Sequence, residues 1–142
     1  MFGEKSDLIL IHNMGSECPN CTLGGDGLNG ALRHLQDRAA FVVVSPDSVK
    51  VQQAVRAKRG WNFELYSAEG TTFMKDMGFE SDEIEYNSNA LPGVSTFRKN
   101  EDGTIDRIAK DFFGPGDLYS SVGHLFDLLA DGAGNWGAKL EY

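Results

Sequence analysis

The chain has two cysteines, Cys18 and Cys21, with Pro19 and Asn20 between them. A Cys-x-x-Cys on a turn that runs into a helix brings its two sulfurs within disulfide reach. Such a pair exchanges disulfides by thiolate attack through a mixed disulfide. The neighbouring residues suit a helix entrance. Pro19 has no N–H to waste in a first turn. Unpaired N–H groups and the helix dipole favour a thiolate at the first position, Cys18. Cys18 is therefore the expected attacking thiolate. Cys21, about one turn further in and more shielded, is the expected resolving thiol. Two plainer readings compete with this one: an inert buried pair, or half of a zinc site. Zinc takes four ligands, and beyond the cysteines the sequence offers His12, His34 and His124, which are not clustered. No metal and no cofactor is expected.

His12 stands six positions before Cys18, at the end of an apolar run. Beneath a disulfide near Cys21 it would take the proton of Cys21 during resolution. The plain alternative is a hydrogen-bonded histidine at a strand end. Glu17 precedes Cys18 directly, and a like charge raises a thiol pKa. That opposes the helix dipole, so the pair should act as a reductant or balanced exchanger rather than as a strong oxidant.

The elements that must position these groups follow from periodicity. Leu8-Ile9-Leu10-Ile11 and Ala40-Phe41-Val42-Val43-Val44 read as strands buried on both faces. Cys18 to Leu35 reads as a helix with a glycine-rich first half. Ser45-Pro46-Asp47-Ser48 is a capping turn before a helix that runs to about Arg59, with Val51, Ala54 and Val55 inward and Gly60 as its stop. Phe63 to Tyr66 is a short strand, Gly70 to Phe79 a short helix, and Glu80 to Ala90 an acidic surface loop. Val94 to Arg98 and Ile105 to Ala109 flank the turn Asn100-Glu101-Asp102-Gly103 and predict a hairpin. Asp117 caps a last helix whose Leu118, Val122, Leu125 and Leu129 recur at helical spacing on a predicted buried side. The tail 132–142, with Trp136 and Tyr142, should pack on the surface or on a partner. The alternation predicts an α/β fold with a central mixed β-sheet flanked by helices.

Gly25-Asp26-Gly27-Leu28-Asn29-Gly30 matches G-x-G-x-x-G, and Asp47 lies 22 residues after Gly25, as in a dinucleotide fingerprint. The glycines of that fingerprint follow their strand at once, whereas 13 residues separate Ile11 from Gly25 here. Asp26 would also set negative charge against a phosphate. The plain reading is a helix weakened by glycine, at roughly 1 kcal/mol for each one.

The 142 residues are enough for one domain, 1–142. A net charge of -8 opposes a nucleic acid or an anionic membrane as partner. There is no run of 18 apolar residues, and Met1-Phe2-Gly3-Glu4-Lys5 lacks the layout of a signal peptide. Few cysteines, close together, point to a reducing cytoplasm.

Taken together the residues resemble the thioredoxin superfamily, in its peroxiredoxin-like and TlpA-like branches. Several stretches are most similar to a bacterial family of unknown function labelled predicted dithiol-disulfide oxidoreductase. They are His12-Asn13-Met14-Gly15, Cys18-Pro19-Asn20-Cys21-Thr22, Asp26-Gly27-Leu28-Asn29-Gly30, Val42-Val43-Val44-Ser45-Pro46-Asp47, Pro92-Gly93-Val94-Ser95, Phe113-Gly114-Pro115-Gly116 and His124-Leu125-Phe126-Asp127-Leu128-Leu129. The resemblance implies a thioredoxin-like fold and thiol–disulfide exchange with protein or small-molecule partners; a homodimer is compatible with it. It implies that His12 falls where thioredoxins keep a buried acid. It makes Pro19, Asn20, Pro92 and Gly93 the substrate-facing positions, with Pro92 matching a cis-proline; counting back from Asp102-Gly103 puts Val94 there instead. Two departures stand out. Glu17, not Trp, precedes Cys18, and Gly15 stands where peroxiredoxins carry a Thr, which argues against a dedicated peroxidase. A non-enzymatic redox sensor or protein-binding module is the alternative.

Overall fold

Residues 1–83, 89–114 and 116–142 are described by a computed structural model. The elements run β1 (Asp7–His12), α1 (Pro19–Arg38), β2 (Ala40–Ser45), α2 (Val49–Arg59), β3 (Glu64–Ser67), α3 (Phe73–Asp76), β4 (Gly93–Lys99), β5 (Ile105–Phe112) and α4 (Ser121–Phe126). The strands form one sheet in the order β3-β2-β1-β4-β5. β1 pairs in parallel with β2, with Leu10 opposite Val42, and β2 in parallel with β3. β4 runs antiparallel to β1 and to β5. This is the mixed sheet that the sequence predicts, with the hairpin on its antiparallel edge.

The continuous apolar run of β1 is explained by what covers each face. Leu8 and Leu10 pack with Val42, Val44, Met74 and Phe79 on one face, which α3 covers. Ile9 and Ile11 pack with Phe41, Val43 and Phe63 on the other, under Leu28, Leu32 and Leu35 of α1 and Val55 of α2. Each such side chain fully buried contributes ~1.5–3 kcal/mol. Because α1 follows β1 in chain order, its N-terminus opens at the carboxyl end of the central strand.

α2 begins as expected, with Ser48 as N-cap and Gly60 in the left-handed conformation at its end. Its inner face differs from the expectation. Val51 is 41% exposed and Ala54 is exposed, whereas Gln52 is 3% exposed. Gln52 earns that place by polar pairing: its Nε2 donates to Ser45 Oγ and to the Tyr66 carbonyl, each at 2.9 Å. Periodicity in apolar residues has no signal for a buried glutamine.

One glycine in the first half of α1, Gly25, has a tertiary cause. A Cβ on Gly25 would lie 2.6 Å from Cζ2 of the Trp61 indole, so the helix needs a glycine to approach that ring. Asp26 next to it accepts from Trp61 Nε1 at 2.8 Å and pairs with the Arg59 guanidinium. Asn29 Oδ1 accepts the Asn62 N–H at 2.8 Å. The stretch that imitates a nucleotide fingerprint thus clasps α1 to the end of α2. Gly27 and Gly30 face open space.

The C-terminal segment corrects the prediction. α4 is only Ser121–Phe126, and Asp117 caps a turn, accepting from Gly114 N and Tyr119 N at 3.0 and 2.7 Å. Leu118, Leu125 and Leu129, predicted as buried, are 88%, 61% and 58% exposed. The residues of β5, the strand at that edge, are themselves exposed, so among the described residues no sheet face closes over these leucines. The segment packs on itself instead, with Phe126 edge-on to Trp136 at 4.7 Å. The tail returns to α2, where Arg59 Nη1 donates to the Leu140 carbonyl and Lys58 pairs with Glu141. Of the predicted 80–90 loop, residues 84–88 lie outside the described residues, as does Pro115 of the 113–116 stretch.

Candidate active site

The turn from β1 into α1 is built from small hydrogen bonds. Asn13 N donates to the Val44 carbonyl at 2.9 Å, which extends the β1–β2 pairing past His12. Asn13 Oδ1 accepts from Gly15 N at 2.7 Å. Gly15 adopts φ 115°, a conformation that favours glycine. Cys18 N then donates to the Gly15 carbonyl at 3.2 Å, closing a turn over 15–18. The last residue of that turn is the N-cap of α1, and Pro19 occupies the first helical turn.

Cysteine replaces the usual Ser, Thr, Asp or Asn as the cap. The Cys18 sulfur accepts the Cys21 N–H at 3.1 Å. Hydrogen bonds from the Cys21 thiol and from the N–H groups of Cys21 and Asn20 outweigh burial and bring the Cys18 thiol down to about 7. Cys21 moves the other way. Donation to Cys18, burial and the Cys18 charge push it up strongly, against a backbone hydrogen bond from Met14. The sulfurs are therefore differentiated: one poised as thiolate at neutral pH, the other held as a thiol that donates to it. No disulfide joins the two sulfurs.

Exposure ranks the pair opposite to the expectation. Cys18 is 7% exposed, and Cys21 is half-buried. Whole-residue exposure therefore does not set the roles; hydrogen bonding between the two residues sets them first, with burial of the Cys21 thiol adding to it. Pro19 is half-buried and Asn20 exposed. Glu17 is exposed to water, where its charge is screened.

His12 occupies the predicted strand end and is fully buried. Its ring stacks on Phe79, centroids 3.6 Å apart, and Nε2 lies 3.0 Å from Ser95 Oγ on β4. These contacts lie with the α3 side of the sheet, as Leu8 and Leu10 do, and not with the helices α1 and α2. Nδ1 is buried without a partner among the described residues. Burial, with Arg107 and Lys110 adding positive charge, lowers the imidazole to about 3. His34 and His124 lie exposed on α1 and α4. Among the described residues no group of three His, Cys, Asp or Glu side chains converges to hold a metal ion.

Pro92 and Gly93 sit at the start of β4, with Gly93 opposite His12. The peptide bond before Pro92 is trans. The Leu91 N–H donates to Phe79 O, and the Pro92 carbonyl accepts from Phe113 N, each at 2.9 Å. Gly93 is required by crowding, since a Cβ there would lie 2.3 Å from the Asp111 carbonyl. Val94, half-buried and paired with Ile11, faces the α1 side of the sheet.

One participant went unread in the sequence. Asp47, taken there as part of a capping turn, accepts the Ser16 N–H at 2.7 Å and so holds the turn that leads to Cys18. The available signal was positional: the loops after β1 and β2, adjacent parallel strands, emerge side by side at the carboxyl ends of those strands.

Comparisons with known proteins place this geometry. The family model described as "Bacterial protein of unknown function (DUF899)" matches residues 1–135. No curated protein matches the chain. Among solved structures it is similar to a cysteine-to-serine mutant of peroxiredoxin Q from Xanthomonas campestris, with 25% identity and a TM-score of 0.55 over 72% of this chain and 69% of that one. A PrxQ cysteine-to-serine mutant from Xylella fastidiosa has 18% identity and a TM-score of 0.68 over 82% and 72% of the two chains. Peroxidoxin BcpB from Mycobacterium tuberculosis has 22% identity and a TM-score of 0.53 over 72% and 67%. The fold is thioredoxin-like, in its peroxiredoxin-like branch. Among the described residues no helix is long and apolar enough to cross a membrane.

Proposed function

The chain belongs to the bacterial DUF899 family, and from that premise we propose that it is a cytoplasmic thiol–disulfide oxidoreductase working through Cys18 and Cys21. The observation that carries this reading is the Cys18 sulfur acting as helix N-cap, with the Cys21 N–H 3.1 Å away and a thiol brought to about 7. A thiol with a pKa near ambient pH is close to the optimum for attack on a disulfide.

The reaction balances without a cofactor. The Cys18 thiolate attacks one sulfur of a substrate disulfide. A Cys18–substrate S–S bond forms, the substrate bond breaks, and the other sulfur leaves with the electron pair. Cys21 then attacks the Cys18 sulfur, forming the intramolecular disulfide and releasing the second substrate thiolate. Two electrons pass from the dithiol to the substrate, and the reverse sequence oxidises a substrate dithiol. His12 is the proposed acceptor of the Cys21 proton, although its contacts to Phe79 and Ser95 lie on the α3 side of the sheet. Its low basicity works against that role. The competing route carries the proton directly to the departing thiolate.

Protein or small-molecule disulfides are the substrates in this proposal, docking beside Pro19, Asn20, Pro92 and Gly93. Insulin-disulfide reduction with dithiothreitol tests it. Catalysed precipitation that vanishes in Cys18→Ser supports the assignment; no acceleration over dithiothreitol alone refutes it and favours a non-enzymatic sensor or binding module.

The peroxiredoxin likeness favours a second reading. There the Cys18 thiolate attacks one peroxide oxygen, the O–O bond breaks with the other oxygen leaving as water or an alcohol, and Cys18 becomes a sulfenic acid. Cys21 then condenses with it, forming the disulfide and releasing a second molecule, water. Gly15, three residues before Cys18, brings no hydroxyl to bind the peroxide. Peroxide consumption with a thiol donor, faster than insulin reduction, would establish this reading over the first.

A further inference from the structure

The turn that delivers Cys18 is held by a side chain from a different loop. Ser16 N donates to Asp47 Oδ2 at 2.7 Å, and Ser16 Oγ lies 3.4 Å from Oδ1. Ser16 is the second residue of the 15–18 turn, so Asp47 grips its tip. Asp47 is itself held. Ser45 Oγ donates to Oδ2 at 3.3 Å, and Ser67 Oγ donates to the Asp47 carbonyl at 2.7 Å. Ser45 in turn receives Gln52 Nε2, whose other partner is the Tyr66 carbonyl. Ser45 and Gln52 are each 3% exposed. A polar chain therefore runs from β3 through α2 and β2 to Asp47, and from Asp47 to the turn before the sulfur.

Buried polar residues that satisfy one another fix a single geometry. Here that geometry is the 15–18 turn, which ends at Cys18, whose sulfur accepts the Cys21 N–H. Charge alone gives Asp47 the wrong sign for helping a thiolate, because a nearby carboxylate raises a thiol pKa. Its benefit to Cys18 must come through the hydrogen bond to Ser16.

We propose that Asp47 is a positioning residue for Cys18, whose grip on Ser16 sets the sulfur against the helix N–H groups. The proposal rests on the oxidoreductase reading for its functional meaning, but its test does not need turnover.

The experiment is the pH profile of Cys18 alkylation by iodoacetamide in the whole reduced protein, followed by peptide mass mapping. Asp47→Asn keeps an oxygen acceptor for Ser16 N–H and removes the charge. Asp47→Ala removes both. The profile of Asp47→Ala should shift up by about one pH unit, which makes labelling about tenfold slower at pH 6 and equal to the parent at pH 10. Asp47→Asn should label within about twofold of the parent, or faster. Should Asp47→Ala not fold, Asp47→Ser, whose shorter side chain cannot span to Ser16, carries the same expectation. Identical midpoints in all three proteins overturn the proposal. So does a loss of thermal stability with unmoved midpoints, which is what a purely structural bond would give, and so does Asp47→Asn shifting like Asp47→Ala. A parent protein with a low Cys18 midpoint but no disulfide turnover refutes the oxidoreductase reading and leaves the Asp47 result standing.

Discussion

Cys21 donates its backbone N–H to the Cys18 sulfur across 3.1 Å, so the two residues are coupled before any disulfide joins them. The contact ties the identity of the nucleophile to the helix. Limiting iodoacetamide should label Cys18 first, with a half-maximal rate near pH 7. Cys21→Ser should trap a mixed disulfide through Cys18, and Cys18→Ser should trap none. Preferential labelling of Cys21, the more exposed residue of the two, would reverse the roles.

His12 couples the site to acid stability. Its folded pKa of about 3 lies below the unfolded value of 6.5, so the unfolded chain binds the proton first. Stability is full above about pH 6.5 and falls as pH drops toward 3, by up to a few kcal/mol. His12→Phe should remove this slope, whatever its cost at pH 7. Urea midpoints at pH 7, 5.5 and 4.5 measure it, and parallel slopes in both proteins would show that the imidazole is protonated in the fold.

The same residue decides the proton route. His12→Ala should leave the first attack by Cys18 unchanged and slow the release of the second thiolate, if His12 takes the Cys21 proton. Single-turnover kinetics with a chromogenic disulfide separate the two steps; unchanged resolution assigns the proton to the leaving thiolate.

The helix glycines should divide by what lies opposite them. Gly25→Ala places a methyl 2.6 Å from the Trp61 ring and should destabilise by ~1–3 kcal/mol. Gly27→Ala and Gly30→Ala meet open space and should each stabilise by ~0.5–1 kcal/mol. Chemical denaturation gives the order, and a stabilising Gly25→Ala would remove the indole as the reason for that glycine.

Asp26 is the acceptor of Arg59 and of Trp61 Nε1. Asp26→Ala should destabilise by ~1–2 kcal/mol, mostly from the orphaned indole N–H. Neither this variant nor the parent should bind NAD(H) in calorimetry, since the glycines lie inside α1, with 13 residues between Ile11 and Gly25, rather than directly after the strand. Micromolar binding would restore the nucleotide reading of the glycine stretch.

Local chemistry wrote much of this protein openly. The apolar run Leu8–Ile11, the Cys18-Pro19-Asn20-Cys21 junction, the Ser48 and Gly60 ends of α2 and the 100–103 hairpin turn each depend on near neighbours in sequence, so pattern alone determined them. What depends on distant chain segments was settled only by tertiary packing. Gln52 is buried because Ser45 and Tyr66 supply partners. Gly25 is glycine because Trp61 arrives from 36 residues away. The apolar stripe of Leu118, Leu125 and Leu129 stays in water because amphipathic spacing states that a face exists, not that anything covers it. Asp47 reaches Ser16 because adjacent parallel strands end together, a juxtaposition of 31 residues' separation that no local propensity encodes.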